Sequence, residues 1–127
     1  MQLKQIVLRL ARNPGFPEGD HDQGYVIVAP LDDNAKLDVE SWRDVKKHCT
    51  VRRFHPDDEL AADGKLTHRG SNWYFHYDED DEGADEPLYK LADHQILHGS
   101  YVTIAHGEDA DPLTYQVDDI RNFQVSA

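Results

Sequence analysis

The sequence predicts an α+β, β-rich fold: an antiparallel sheet or small β-barrel of about six to eight short strands with one helix, Asp38 to Cys49. Short segments rich in β-branched and aromatic residues recur along the chain, turn residues separate them, and helical spacing of apolar residues occurs once. The 127 residues have room for one hydrophobic core, so we interpret residues 1–127 as a single domain.

The first part of the chain is predicted to form two strands around a long loop. Leu3 to Ala11 alternates between apolar and polar residues and carries enough isoleucine and valine for a strand. Residues 12–24 hold two prolines and three glycines, so we expect a loop throughout. Tyr25 to Ala29 is nearly continuously apolar, which favours a strand buried on both faces that stops at Pro30.

The single predicted helix is followed directly by a strand. Asp38 is placed to cap the helix, and its last turn is basic, as the helix dipole favours. The apolar residues of this segment form one stripe: Val39, Trp42, Val45 and Cys49. Thr50 to Phe54 is β-branched and aromatic, and His55-Pro56 should end that strand because a residue before proline avoids helical and favours extended conformations.

Two hairpins are predicted in the second half. Gly70-Ser71 suits a two-residue type II′ turn, and its register would place on one face Leu66, His68, Trp73, Phe75 and Tyr77. The second hairpin joins Tyr101 to His106 with Leu113 to Val117. Between the hairpins, two short apolar segments are further strand candidates: Leu88 to Leu91 and Gln95 to Leu97.

The composition restricts the classes of partner. The formal net charge is −12 and the pI is near 4.8, which disfavours nucleic acid and anionic membranes and favours basic partners or cations. One cysteine allows no internal disulfide, no apolar segment approaches the roughly 20 residues of a membrane span, and the N-terminus lacks the pattern of a secretory signal. We therefore expect a cytoplasmic protein.

Charge is distributed unevenly along the chain. Residues 78–86 carry seven acids and no cation, whereas residues 43–55 carry five of the 13 cations and one acid. The acid run imitates the first half of a calcium loop, but Tyr89 stands where the bidentate glutamate is required, so an EF-hand is excluded. The residues predicted to bind a partner are Arg43, Lys46, Arg52, Arg53, Asp78, Asp80 and Glu82. The alternative for the two strand arginines is that one pairs with acids of the same molecule.

Catalytic motifs are absent from the sequence. No serine lies in a Gly-x-Ser-x-Gly elbow, no phosphate-binding loop is complete, and Cys49 belongs to the apolar stripe of the helix. Eight histidines are present, several near acids, as in Asp20-His21-Asp22 and His55-Pro56-Asp57. His94 and His98, four residues apart, are the weak candidates for a metal site. No cofactor is predicted, although a divalent metal remains an alternative.

Two functional hypotheses follow from these observations. The first is a non-enzymatic binding or interaction domain whose partner is a basic protein surface or a second copy of the chain, with no nucleic acid and no membrane as partner. The second is a small metal-dependent enzyme or ligand-binding β-barrel that uses histidine and aspartate side chains.

Overall fold

The computed structural model describes residues 2–57, 61–70, 72–77, 86–89, 95–105 and 112–124. Within these ranges, eight antiparallel strands form a closed barrel in which each strand pairs with its neighbours in sequence and the last strand pairs with the first. The strands are β1 (Gln2–Leu10), β2 (Asp20–Leu31), β3 (Thr50–Phe54), β4 (Ala62–Arg69), β5 (Asn72–Tyr77), β6 (Glu86–Tyr89), β7 (Tyr101–Ile104) and β8 (Leu113–Asn122). The predicted β-rich class with one helix is confirmed.

The helix α1 (Val39–Val45) covers one opening of the barrel. Asp38 caps it, because the Ser41 backbone N–H and hydroxyl both donate to the Asp38 carboxylate, at 3.3 and 2.9 Å. The helix is shorter than predicted, since the chain tightens into a 3-10 turn over Lys46–His48. Trp42 anchors it by donating its indole N–H to the Leu66 carbonyl at 2.9 Å.

The second strand is longer than predicted at both ends. The expected loop stops at residue 19, because Asp20 pairs with Leu10 of β1 while Gly24 pairs with Arg9, and the residues of β2 between them form a bulge. The strand also continues through Pro30 to Leu31. Proline is tolerated there because β3 pairs only with residues 24–27 of β2, so its missing N–H interrupts no ladder bond on that side.

The predicted hairpin registers are confirmed. Leu66 lies opposite Phe75, and Gly70 has a φ of +64°, the sign that a primed two-residue turn requires at its first position. In the second hairpin Val102 lies opposite Tyr115. β6 begins two residues earlier than predicted, and residues 95–97 form no strand.

Side chains fill the interior of the barrel. Trp42 of α1 packs edge-on against Trp73, with 5.8 Å between the ring centroids. Further along, the Tyr25 ring lies 5.0 Å from Phe75 and 5.1 Å from Tyr115. A cavity of about 10 Å³ remains, enough for about one water molecule. Its lining is entirely apolar: Ile6, Leu8, Ile27, Leu37, Leu66, Ile96 and Val102.

Candidate functional site

The meander topology gives the barrel two different ends. The helix end holds the connection of residues 32–49, which includes α1, and the connections that lead into β5 and β7. The opposite end, which we call the far end, is where β1, β3, β5 and β7 finish and where β2, β4, β6 and β8 begin. Because successive strands run in opposite directions, every second connection returns to the same end.

Acid is concentrated in the connections that leave and enter the far end. By sequence, residues 11–19 carry one acid, residues 55–61 three, residues 78–85 six and residues 105–112 three, against a single cation, Arg12. The helix-end connection of residues 32–49 is nearly balanced, with five acids and four cations. The connections at the far end are therefore strongly acidic by sequence, whereas the helix-end connection is nearly neutral.

A hydrogen-bonded bulge at the start of β2 orders part of the far end. The Asp20 carboxylate accepts bonds from the Asp22 backbone N–H and the Gln23 side-chain amide, both at 2.9 Å. These bonds, with smaller contributions from His55 and His21, hold the pKa of Asp20 below its ordinary value. Asp20 is thus kept ionised, and the exposed Asp22 is held beside it.

The bulge packs closely against β1 and β3. A methyl group added at Gly24 would lie 1.8 Å from the Leu8 carbonyl oxygen and 2.8 Å from the Phe54 ring, so only glycine fits. Phe54 covers this glycine from outside, and the Arg9 guanidinium lies 5.5 Å from the Phe54 ring centroid. Arg9 also pairs with Asp118 of β8 at 3.0 Å. The close approach of the β1 and β2 backbones and the polar contacts of Arg9 therefore hold this part of the far end together.

The end of β3 carries a histidine that closes a turn. His55 is half-buried, and its Nδ1 atom accepts a hydrogen bond from the Asp57 backbone N–H at 2.9 Å. Pro56, between them, has no N–H to donate. Asp57 is exposed, and its turn follows directly after Phe54, which pairs with Gly24 at the bulge.

The four cationic residues predicted to bind a partner lie in different places in the structure. Arg43 and Lys46 are exposed at the helix end, where the Lys46 ammonium lies 5.8 Å from the Trp42 ring centroid. Arg52 points outward and pairs with Asp63 across the ladder at 3.4 Å. Arg53 alternates to the inner face and lies in register with Tyr25 and Ala62, which are buried. The Arg52 pair is largely exposed and adds little stability.

The remaining predicted residues are placed as follows. Asp78, Asp80, Glu82 and His94 lie outside the described residues. His98 is exposed in a β-turn in which the Ser100 N–H donates to the Leu97 carbonyl at 2.9 Å, so no helix brings it toward position 94. Within the described ranges, no three His, Cys, Asp or Glu side chains meet as a group that could hold a metal ion.

Cys49 has the surroundings of a core residue. Its side chain is 0% exposed, and burial raises the pKa of the thiol to about 11. A thiol with that pKa is protonated at neutral pH and is a poor nucleophile. The interpretation of Cys49 as part of the apolar stripe agrees with this position.

Sequence reasoning identified the acid run but not the far end as a whole. The segments Asp20-His21-Asp22 and His55-Pro56-Asp57 stood out only as histidines near acids. They are 33 or more residues apart in sequence, and the pairing of β2 with β3 brings them to one place. Knowledge that β2 pairs with β3 would have shown that the two segments are neighbours, but a single sequence does not supply the order of the strands.

Two further findings do not depend on the far end. In the part of the chain that the structure describes, no helix has the length and apolar character needed to cross a membrane. Comparison of the sequence and the fold with protein-family models, curated proteins and solved structures finds no match.

Proposed function

We propose that this protein is a non-enzymatic interaction domain that binds a cationic partner, such as a basic protein surface, through the far end of its barrel. The observation that supports this most is the charge difference between the ends: 13 acids and one cation in the far-end connections. Such a field attracts cations over several ångströms and speeds their association. The predicted partner-binding acids Asp78, Asp80 and Glu82 belong to these connections by sequence.

The filled interior supports a surface site over a luminal one. Eight-stranded barrels that bind small molecules keep a lumen large enough for one ligand. Here the described cavity has room for about one water and offers it no polar partner. The lack of space for a ligand inside the barrel therefore favours a binding surface on its outside.

The net charge favours a foreign partner over a second copy. Two copies each carry −12, so their overall fields repel at low salt. The cations at the helix end, Arg43 and Lys46 among them, are accompanied by acids and do not offset this repulsion. A basic protein surface meets no such penalty.

Binding of a fluorescent arginine-rich peptide tests the proposal. We expect affinity at 50 mM salt that falls steeply at 500 mM, because screening weakens exposed charge pairs. Neutralising three exposed far-end acids by Glu18→Gln, Asp22→Asn and Asp57→Asn should weaken binding several-fold, at about 0.2–1 kcal/mol for each pair. A second triple, Asp78→Asn, Asp80→Asn and Glu82→Gln, tests the acid run.

A matched control separates the far end from net charge alone. Asp33→Asn, Glu40→Gln and Asp44→Asn change the net charge equally with exposed residues near the helix end. Equal loss of affinity in the control and the far-end triples would refute a localised site, and no peptide binding at 50 mM salt would refute the cationic partner.

Two further measurements address the other hypotheses. Sedimentation that shows dimers at low salt and monomers at high salt would identify a second copy as the partner. Elemental analysis of tag-free protein, with thermal shifts in zinc, iron, manganese and nickel, tests the metal-dependent alternative. Bound metal or a clear shift would favour that alternative over the interaction domain.

A further inference from the structure

The turn that follows β3 is closed by a side chain that can change its hydrogen-bonding character. The Nδ1 atom of His55 accepts the Asp57 N–H at 2.9 Å, and only an unprotonated ring nitrogen can accept. The turn as described therefore holds a neutral imidazole with its proton on Nε2. Protonation would place a ring N–H against the Asp57 N–H, two donors facing each other.

Charged groups around His55 act in both directions. On β2, the Asp20 carboxylate attracts His55 when the imidazole is protonated, an interaction that contributes to the lowered pKa of Asp20, and His21 lies in the same bulge. On β1, the Arg9 guanidinium lies over Phe54, the residue before His55, and opposes a second cation. The flanking residues Arg53 and Asp57 carry opposite charges, and Asp63 on β4 is engaged by Arg52.

We propose that His55 is a pH-sensitive switch of the far end. When neutral, it closes the 55–57 turn; when it takes up a proton from solvent, it releases the Asp57 amide and turns its N–H groups toward Asp20. Histidine side chains make this change between about pH 5 and 8. Resting on the proposed function, the switch weakens binding of a cationic partner as pH falls, because the far end gains a positive charge and its turn opens.

The turn itself is tested by NMR without any partner. In a titration from pH 8 to 5, the Asp57 amide signal should shift with the same midpoint as the His55 ring protons. His55→Asn keeps an oxygen acceptor near the Nδ1 position but does not titrate. In this variant the chemical shift of the Asp57 amide should not change with pH. His21→Asn removes a neighbouring histidine that does not close this turn and should behave like the wild type. An Asp57 amide that is invariant in the wild type, or that still titrates in His55→Asn, would overturn the switch.

The consequence for binding is tested with the same arginine-rich peptide. Between pH 7.5 and 5.5 the wild type should lose about two- to fivefold more affinity than His55→Asn, the effect of one charge near the protein surface. An equal loss in both proteins would overturn the regulatory role. Absence of peptide binding at pH 7.5 would instead contradict the proposed function, while the NMR titration would still decide the switch. Circular dichroism melts of both variants confirm that they fold.

Discussion

The two ends of the barrel are held together by different kinds of contact. At the helix end an apolar plug covers the opening, with Trp42 packed on Trp73 and bonded to the Leu66 carbonyl. At the far end a polar bulge at Asp20 and a turn at His55 are held by hydrogen bonds, and the connections at that end are acidic by sequence. The comparison indicates that apolar packing holds the helix end, whereas hydrogen bonds between polar groups hold the described part of the far end.

Removal of the plug should have the largest effect on stability. Trp42→Ala deletes a side chain that is 9% exposed together with its hydrogen bond, and we expect a loss of about 3–5 kcal/mol in the free energy of unfolding. Urea unfolding followed by circular dichroism measures it. Trp42→Phe keeps a ring in place and should cost clearly less. A small loss from Trp42→Ala would mean that the barrel closes without its helix.

Crowding at the bulge should be the next largest effect. Gly24→Ala introduces a methyl group 1.8 Å from the Leu8 carbonyl oxygen, so the backbone of β1 and β2 must separate, at about 1–3 kcal/mol or more. Gly15→Ala is the matched control, because the space around Gly15 is open, although its φ of +86° adds some strain. Thermal melts should place Gly24→Ala well below the wild type and below the control; a Gly24→Ala protein that melts at the wild-type temperature would contradict the close approach.

The helix cap should contribute less, and in a pH-dependent way. Asp38→Ala removes the acceptor for Ser41 and should cost about 1 kcal/mol at pH 7. The bond from the Ser41 hydroxyl, followed by that from its N–H, lowers the pKa of Asp38. A lowered pKa means that this contribution is present above about pH 4 and is lost as pH falls through the folded-state value.

Urea titrations of wild type and Asp38→Ala from pH 7 to 2.5 should therefore converge in acid. Asp38→Asn, which keeps a capping oxygen without a titrating group, should stay close to wild type at pH 7. A gap between wild type and Asp38→Ala that is constant down to pH 2.5 would show that the carboxylate charge plays no part in the cap.

Neutralising far-end acids should have the smallest effect on stability. The triple Glu18→Gln, Asp22→Asn and Asp57→Asn changes exposed side chains, so we expect a change within about 0.5 kcal/mol per site, tending toward stabilisation as repulsion is relieved. Melting temperatures at 50 and 500 mM salt measure this. A strong destabilisation would contradict this contrast between the two ends, because it would show that these acids stabilise the folded state.

Much of the fold was predictable because it follows from local periodicity. The stripe of Trp42 and Cys49 predicted which side of the helix is buried, and Gly70 predicted the turn that sets Leu66 opposite Phe75. The buried face of the helix and the register of the hairpin both depend on residues that are close together in sequence. Side-chain alternation and turn geometry are enough to specify them.

The errors arose where distant parts of the chain decide local structure. The polar start of β2 is a strand because Asp20 ties its bulge together and β1 pairs with it. The end of β8, from Asp118 to Asn122, is polar and pairs only because β1 closes the barrel. Neither segment has an apolar pattern that would identify a strand.

The sequence by itself determined that this is an acidic, β-rich chain with one capped helix and no catalytic motif. Only the tertiary structure decided which connections share an end of the barrel. The alternating direction of eight strands collects four separate acidic connections at one end and leaves Arg43 and Lys46 at the other, while Arg52 and Arg53 point to opposite faces of one strand. The physical reason is that local pattern specifies each strand, whereas ladder pairing and ring closure specify which connections become neighbours.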